Sequence, residues 1–420
     1  MNFDQNRLFE YVKAFSFPRL CGTDGEKEAV DLTINTFKEI GFKENEIQKQ
    51  EFEFSDFYST TLIQLIAMIS LTTIITLVLF LYIYPIISIP LILIIFLIVY
   101  LILRGLRHPE TAGFWGKYYG NIIDATNVFV KIPAKSISEV EAGNIVISAH
   151  LDSKSQSFKT IWRILIYKIG LFAGVPLGIA YVIFLIYRLI KWYVKFIYIS
   201  PEIEEVIAII NIIILILTVI ISIPIVILIF LSTHNKSPGA LDNATGMSVV
   251  FELSSYFRDM PLNNFNMFFC QFSAEELGTM GSRTFVNKYE TEFMKGRIFQ
   301  INLEMISAAT RKKNRVEFLE SYGIYPRKKN YAPILSNYLK EAAKQENLKI
   351  YGYHLSTGAH TDSVPFRLRD FDAVDILTTA GARYTHNKED TPDKVDPQVL
   401  LETCVIVRKV IQMLDNDFKI

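Results

Sequence analysis

The order of apolar and polar positions divides this chain into two kinds of segment. Leu8, Phe9, Val12 and Phe15 recur at helical spacing with charges between them, predicting an amphipathic helix at the start. A second is predicted from Glu26 to Ile40, with Gly41 as its stop. Ile47 to Phe54 alternates partly like a strand. From Phe57 to Leu103 no residue is charged, a length that suffices for two bilayer crossings at about 20 residues each. Pro85 and Pro90 fall where a turn would lie, so a transmembrane hairpin over 60–83 and 86–103 is predicted, ended by Arg104 and Arg107. Short strands follow near Asn127–Lys131 and over Asn144–His150. The apolar texture then returns at Ile169–Tyr187 and Val206–Thr233, around a basic-aromatic segment, Lys191 to Lys195, of the kind found at membrane interfaces. Asn211, a polar amide near a span, suits helix packing.

From Lys236 onward the soluble pattern resumes. Strands are expected at Asn266–Phe272, Arg297–Leu303 and Asp375–Thr379, and helices at Ala332–Glu346 and Pro397–Leu414. Strands that alternate with helices predict an α/β fold: a mixed, mostly parallel twisted sheet with helices on both faces. Four transmembrane helices in two hairpins are added to it. The expected organisation is one large soluble domain in three parts, 1–58, 105–160 and 234–420, interrupted by hairpins at 59–104 and 161–233. Mean hydropathy is positive, +0.27, because of those two blocks. The formal net charge of zero argues against a nucleic-acid partner, which would want a basic excess. The 3 cysteines are scattered and give neither a disulfide framework nor a zinc knuckle. No basic stretch leads into an apolar core at the start, so no signal peptide is expected.

Candidate chemistry centres on Pro238–Gly246, where Asp242 sits among small residues just before an apolar helical run. Alone, Asp242 is more simply a helix N-cap. Other stretches change that balance. His150 ends a buried strand with Asp152 two residues on; Glu275 and Glu276 follow another strand; Glu304 ends a third; His386 lies near the end. Singly these read as a satisfied histidine, a solvated acidic pair and an ordinary loop histidine. Adjacent carboxylates after a strand of Phe, Met and Cys are costly to bury unless cations meet them. Zinc accepts imidazole and carboxylate ligands, and two ions can share one bridging carboxylate. Asp152 is placed to take the other N–H of His150 and fix its tautomer.

In order, His150–Ser153, Gly239–Gly246, Ser273–Ser282, Asn302–Met305 and His386 with Asp390 resemble the motifs of the co-catalytic zinc aminopeptidases, metallopeptidase family twenty-eight. That family also holds glutamate carboxypeptidase-like enzymes and glutaminyl cyclases. Arg19–Ala29 and Thr361–Phe366 are similar as well. The resemblance covers the soluble parts and leaves out the apolar blocks. It implies that Asp242 bridges two zinc ions, or other divalent metals. His150 and Glu304 would complete one site, and Glu276 and His386 the other. Glu275 would be the general base and Asp152 the residue that orients His150. Glu304 departs from the family's aspartate, and Ser363 stands where a histidine is common.

The function expected is thus a membrane-anchored metallo-aminopeptidase acting on peptides. The alternatives are a glutaminyl cyclase, which works with one zinc, and a catalytically inactive peptidase-fold receptor or scaffold. A transporter would need charged residues deep in its spans. More Lys and Arg flank the spans on the catalytic side (Arg104, Arg107, Lys117, Lys154, Lys159, Arg163, Lys168, Lys236) than on the other (Arg188, Lys191, Lys195). The positive-inside rule therefore places catalysis in the cytoplasm. The second hairpin leaves soon after Asp152 and returns just before Asp242, so the mouth of the site is expected near the membrane.

Overall fold

A computed structural model describes residues 3–105, 120–158, 160–194, 196–293, 297–308, 315–323, 327–356 and 359–417. Arg107, Lys117, Lys159 and Lys195, counted above among the flanking charges, lie outside them. The chain forms two compact units: Met1–Asp56, Asn121–Lys159 and Thr233–Ile420 make one, and Phe57–Gly120 with Thr160–Ser232 the other.

The first unit is built on β1 (Ile47–Ser55), β2 (Ile122–Ile132), β3 (Gly143–His150), β4 (Ser155–Gln156), β5 (Thr233–His234), β6 (Phe265–Phe272), β7 (Ile298–Glu304), β8 (Val316–Tyr322), β9 (Lys329–Asn330), β10 (Ile350–Leu355) and β11 (Asp372–Leu377). The main sheet runs β1-β2-β6-β3-β7-β11-β8-β10, with β9 on β8. Its centre, β6-β3-β7-β11, is parallel; β2 against β1 and β6, and β8 against β11, are antiparallel. The sequence pattern left β8 and β10 unmarked. Each is short, and β10 is exposed along much of its length, so neither shows the continuous apolar run of a central strand.

Successive side chains on a strand point to opposite faces, and the two cores follow from that. Ile145, Ile147, Ala149, Met267 and Phe269 face a core shared with the helices Gln5–Ala14, Thr245–Asp259 and Pro397–Asp417. Val146, Phe268, Cys270 and Phe272 face an aromatic cluster with Phe285, Tyr289 and Phe293. The predicted helix Glu26–Ile40 begins at Asp24, and Gly41 stops it in the left-handed region at φ 106°.

Both apolar insertions leave this unit where a hairpin turn would be. At the first, β1 and β2 pair to Ser55↔Ile122, and the Asn121 amide donates to the Asp56 carboxylate at 2.8 Å. At the second, β4 and β5 pair antiparallel, Ser155↔His234 and Gln156↔Thr233. The unit therefore closes its own backbone hydrogen bonds at both exits.

The second unit is helical: Thr60–Ile83, Ser88–Gly105, Thr160–Tyr193 and Pro201–Ile229. All 4 spans derived from them are long and apolar enough to cross a membrane. Within it, Leu81, Tyr181, Phe184 and Ile214 pack together, while Phe96, Phe172 and Phe230 are exposed. A few polar contacts tie the helices. Tyr181 donates to Leu77 O and Ser88 Oγ. Tyr82 donates to Asn211, so that amide does hold helices together. Arg188 donates to the carbonyls of Leu81 and Tyr82 at 3.2 and 2.5 Å, satisfying the end of the Thr60–Ile83 helix. Lys191 pairs with Glu204 at 2.7 Å.

Candidate metal centre

The candidate residues gather at the C-terminal ends of the parallel strands, where ligand sites of open α/β sheets form. His150 ends β3 and Glu304 ends β7. Glu275 and Glu276 lie in the turn after β6, and Asp242 in the irregular turn Ala240–Ala244 ahead of Thr245–Asp259. Ala274, Met305 and His386 have positive φ, 58°, 44° and 60°. Two adjoin candidate ligands and one is a candidate ligand; such conformations concentrate at functional sites.

Asp242 lies between two imidazoles. Its Oδ1 is 3.2 Å from Nε2 of His150 and its Oδ2 is 3.3 Å from Nε2 of His386. Glu276 Oε2 is 3.0 Å from the same His386 nitrogen. The donor atoms fall into two groups, His150–Asp242–Glu304 and Asp242–Glu276–His386, each with all its atoms within 4.8 Å of one another. Asp242 belongs to both. It does not cap the following helix, whose first turn has Ala244 at the N-cap position. Glu275 Oε2 stands 4.0 Å from His150 Nε2.

Asp152 meets His150 through both its main chain and its side chain. His150 Nδ1 is 3.0 Å from the main-chain carbonyl of Asp152 and 3.5 Å from its carboxylate. That carboxylate accepts the backbone N–H groups of Glu275 and Glu276, each at 3.2 Å. Carbonyl and carboxylate thus both stand against the histidine, and the carboxylate also fixes the turn that carries Glu275 and Glu276.

Further residues complete the frame. Arg19, fully buried, donates to the carbonyls of Leu151, Pro238 and Gly239 at 2.6, 2.6 and 2.8 Å, tying the His150 strand end to the Asp242 turn. Asp390 accepts the N–H groups of Leu241 and Asp242 at 2.6 and 3.1 Å. Asn243 donates to Leu303 O and accepts from Met305 N, linking the turn to Glu304. Asn302 donates to Glu304 and to Asp375. Ser363, where the family often has histidine, donates to Asp375 Oδ2 at 2.8 Å. Lys154 Nζ lies 2.9 Å from Glu276 Oε2 and donates to the Glu276 carbonyl at 2.7 Å. Arg19 and Asp390 stand inside recognisable motifs; nothing in the sequence marks Lys154 apart from its place four residues after His150.

The electrostatics ask for cations. Burial, then Glu304, pushes Glu275 well above the carboxylate range. Burial raises Glu304 likewise, and burial lifts Asp362 to about 7. Burial also raises Asp390 to about 7, with Asp242 adding to it. Burial would raise Asp242 too, but His150 and His386 hold it below the usual range. Burial is likewise outweighed at Glu276, where His386 and Lys154 bring it to about 2. Burial opposes the charged form of His150, yet the Asp152 and Asp242 carboxylates raise it well above its ordinary value. His150 Nε2 and Glu276 Oε1 are buried without a well-formed hydrogen bond, the first facing carboxylate oxygens of Asp242 and Glu275. Donor atoms of this kind in one buried cluster fit divalent metal ions, with nitrogen and oxygen ligands suited to zinc.

A family model described as Peptidase family M28 matches residues 229–411. Aminopeptidase YwaD of Bacillus subtilis (strain 168) is 25% identical over 182 residues, 42% of this chain and 37% of that protein, so the match spans little more than a third of the relative's length. Among solved structures, an aminopeptidase from Aneurinibacillus sp. strain AM-1 superposes with a TM-score of 0.55 at 12% identity, covering 98% of this chain and 94% of that one. A zinc aminopeptidase from Bacillus subtilis gives 0.54 at 13%, covering 98% and 95%. A glutaminyl cyclase from an Acidobacteriales bacterium gives 0.54 at 13%, covering 100% and 97%. At these identities the likeness establishes the fold.

Proposed function

Because this chain belongs to peptidase family M28, we propose that it is a membrane-anchored aminopeptidase whose site holds two zinc ions. The observation that carries the reading is Asp242, set between His150 and His386 and shared by two ligand groups. His150, Asp242 and Glu304 would hold one ion, and Asp242, Glu276 and His386 the other. Bound there, divalent ions supply Lewis-acid activation of water and of the peptide carbonyl.

The remaining work falls to the chain's own groups. Glu275 takes the proton of the attacking water and passes it to the departing amine. Asp152 holds that base by its backbone, through the N–H groups of Glu275 and Glu276. Asp390 and Arg19 keep the Asp242 turn in place from opposite sides. The longer Glu304 reaches the same site from the end of β7, steadied by Asn302.

The four apolar helices support the anchor. The charge pattern supports a cytoplasmic catalytic unit. Arg104, Arg163 and Lys168 lie at the helix ends nearest in sequence to that unit, and Lys154 and Lys236 lie on its own adjoining segments. Arg188 and Lys191, at the far ends, are engaged within the helical unit. A C-terminal tag should resist protease added to intact cells; digestion there would reverse the orientation.

The enzymatic test is metal analysis of the purified protein with a panel of aminoacyl amides. Release of a free amino acid, abolished by chelation and restored by zinc, supports the reading. A glutaminyl cyclase is the second reading, favoured by the fold likeness to such enzymes. It would instead convert N-terminal glutaminyl peptides to pyroglutamyl ones without releasing an amino acid.

A further inference from the structure

Asp242 serves both ligand groups, yet their surroundings differ in charge. On the Glu276 side stands a fixed cation. Lys154 Nζ is 2.9 Å from Glu276 Oε2, the oxygen that also faces His386 Nε2 at 3.0 Å. A second bond, 2.7 Å to the Glu276 carbonyl, pins the ammonium in that position. Lys154 is nearly buried, with a side-chain exposure of 12%, so water screens it little. Arg19 lies beyond, bonded to the carbonyls of Pro238 and Gly239 in the same turn as Asp242.

The Glu304 side has the opposite character. The side-chain bond found for Glu304 comes from a neutral amide, Asn302. Asp362 is fully buried beside them. Glu275, Asp375 and Asp362 are the acidic neighbours of Glu304 there, and His150 is the basic group prominent among them.

We propose that the two ion sites are unequal by construction: Lys154 makes Asp242–Glu276–His386 the weak, exchangeable site, while His150–Asp242–Glu304 keeps its ion. The proposal rests on the two-metal reading above. An ammonium against a ligand oxygen withdraws electron density from it and repels an incoming dication at short range, where protein interiors screen poorly. Among the described residues no lysine or arginine is paired with the Glu304 carboxylate, whose side-chain bond comes from the Asn302 amide. The peptidase would then respond to free divalent ion in the concentration range of the second site, with the first already filled.

The experiment is a Zn2+ titration of the metal-depleted full-length protein in detergent, followed by calorimetry and by competition with a chromophoric chelator. The wild type should take up two ions in separate steps. Lys154→Met should tighten the second step by about 10- to 100-fold, the range over which neighbours of metal ligands act, and leave the first unchanged. Lys154→Arg, which keeps the charge, should retain the gap. His386→Asn, with Lys154 intact, should remove the weak step and spare the tight one, and so tests the assignment without altering the lysine. Two equal steps in the wild type, an unchanged or weaker second step in Lys154→Met, or loss of the tight step in His386→Asn would each overturn the proposal. Uptake of no ion at all would instead overturn the two-metal reading beneath it.

Discussion

The catalytic unit and the helical unit are unfinished in water in opposite senses. In the first, carboxylates and imidazoles are buried at the sheet end: Asp242, Glu275, Glu276, Glu304 and His150. In the second, large apolar side chains such as Phe96, Phe172 and Phe230 stand exposed. Burying charge without a counter-charge costs several kcal/mol per group. Exposing contiguous apolar surface is unfavourable at about 25 cal/mol per Å2. Under the proposed function, cations would complete the one and lipid the other. The difference also shows in how each is held. Arg19 ties catalytic segments through buried main-chain carbonyls, whereas the helices share a small apolar core and a few polar ties.

The sharpest way to break this contrast is at the base. Glu275→Gln keeps the shape and removes the proton acceptor. Turnover should fall about 10^2- to 10^4-fold, the usual weight of a positioned acid–base group, with metal content unchanged. Retained activity would remove Glu275 from the chemistry.

Arg19→Met tests whether the frame depends on a buried cation. It would leave the carbonyls of Leu151, Pro238 and Gly239 without their donors. A loss of at least about 3 kcal/mol is expected, since each buried unpaired group costs about 1–3 kcal/mol. Denaturant melts would read it, and a change within error would make the guanidinium dispensable.

The pH dependence of the metal-free protein tests the electrostatics. Asp362 and Asp390 keep their protons up to about 7 in the folded state, against an ordinary value of 3.8. Between those values the native form binds more protons than the unfolded chain, so stability falls as pH rises through that window. Glu275 and Glu304 act in the same direction. His150, raised above 6.5, stabilises below that value and loses the contribution as pH climbs through its folded pKa. Asp242 and Glu276 are depressed, so their contributions disappear only on acidification. The stability of the chelated protein should thus decline as pH rises between 3.8 and about 7, by about 1.4 kcal/mol per pH unit for each proton retained. Zinc should flatten the decline. A flat profile without metal would contradict the buried-charge account.

The smallest effect is expected from removing the helices. Because β1 pairs with β2, and β4 with β5, up to both exits, residues 57–120 and 157–232 can each give way to a short hairpin turn of about two to five residues. The product should be soluble without detergent, bind metal as before and hydrolyse a small aminoacyl reporter at nearly the full rate. Loss of the fold would show that the units are energetically inseparable. A selective fall on long apolar peptides would assign the helices a part in substrate admission.

The fold was legible where periodicity was strong. The helix to Ile40, its Gly41 stop, the buried strands ending at His150 and Phe272, and the paired apolar helices all read directly from spacing. β8 and β10 did not, because short strands near a sheet edge carry neither alternation nor a long apolar run. At the site, the residue types and their order, through their resemblance to a known family, singled out the ligand candidates. The hold of Asp152 on the Glu275 turn and the contacts of Arg19 and Lys154 were not legible. Most are made to main-chain carbonyls and N–H groups, which every sequence offers equally, and the Lys154–Glu276 pair joins side chains far apart in the chain.

The central claim is that one carboxylate serves two ions, and metal content under saturating zinc tests it most directly. Asp242 touches both imidazoles, at 3.2 and 3.3 Å, so Asp242→Asn should lose both ions while remaining folded by circular dichroism. Glu275→Gln, measured beside it, should keep both. A folded Asp242→Asn protein that still held either ion tightly would contradict the shared site.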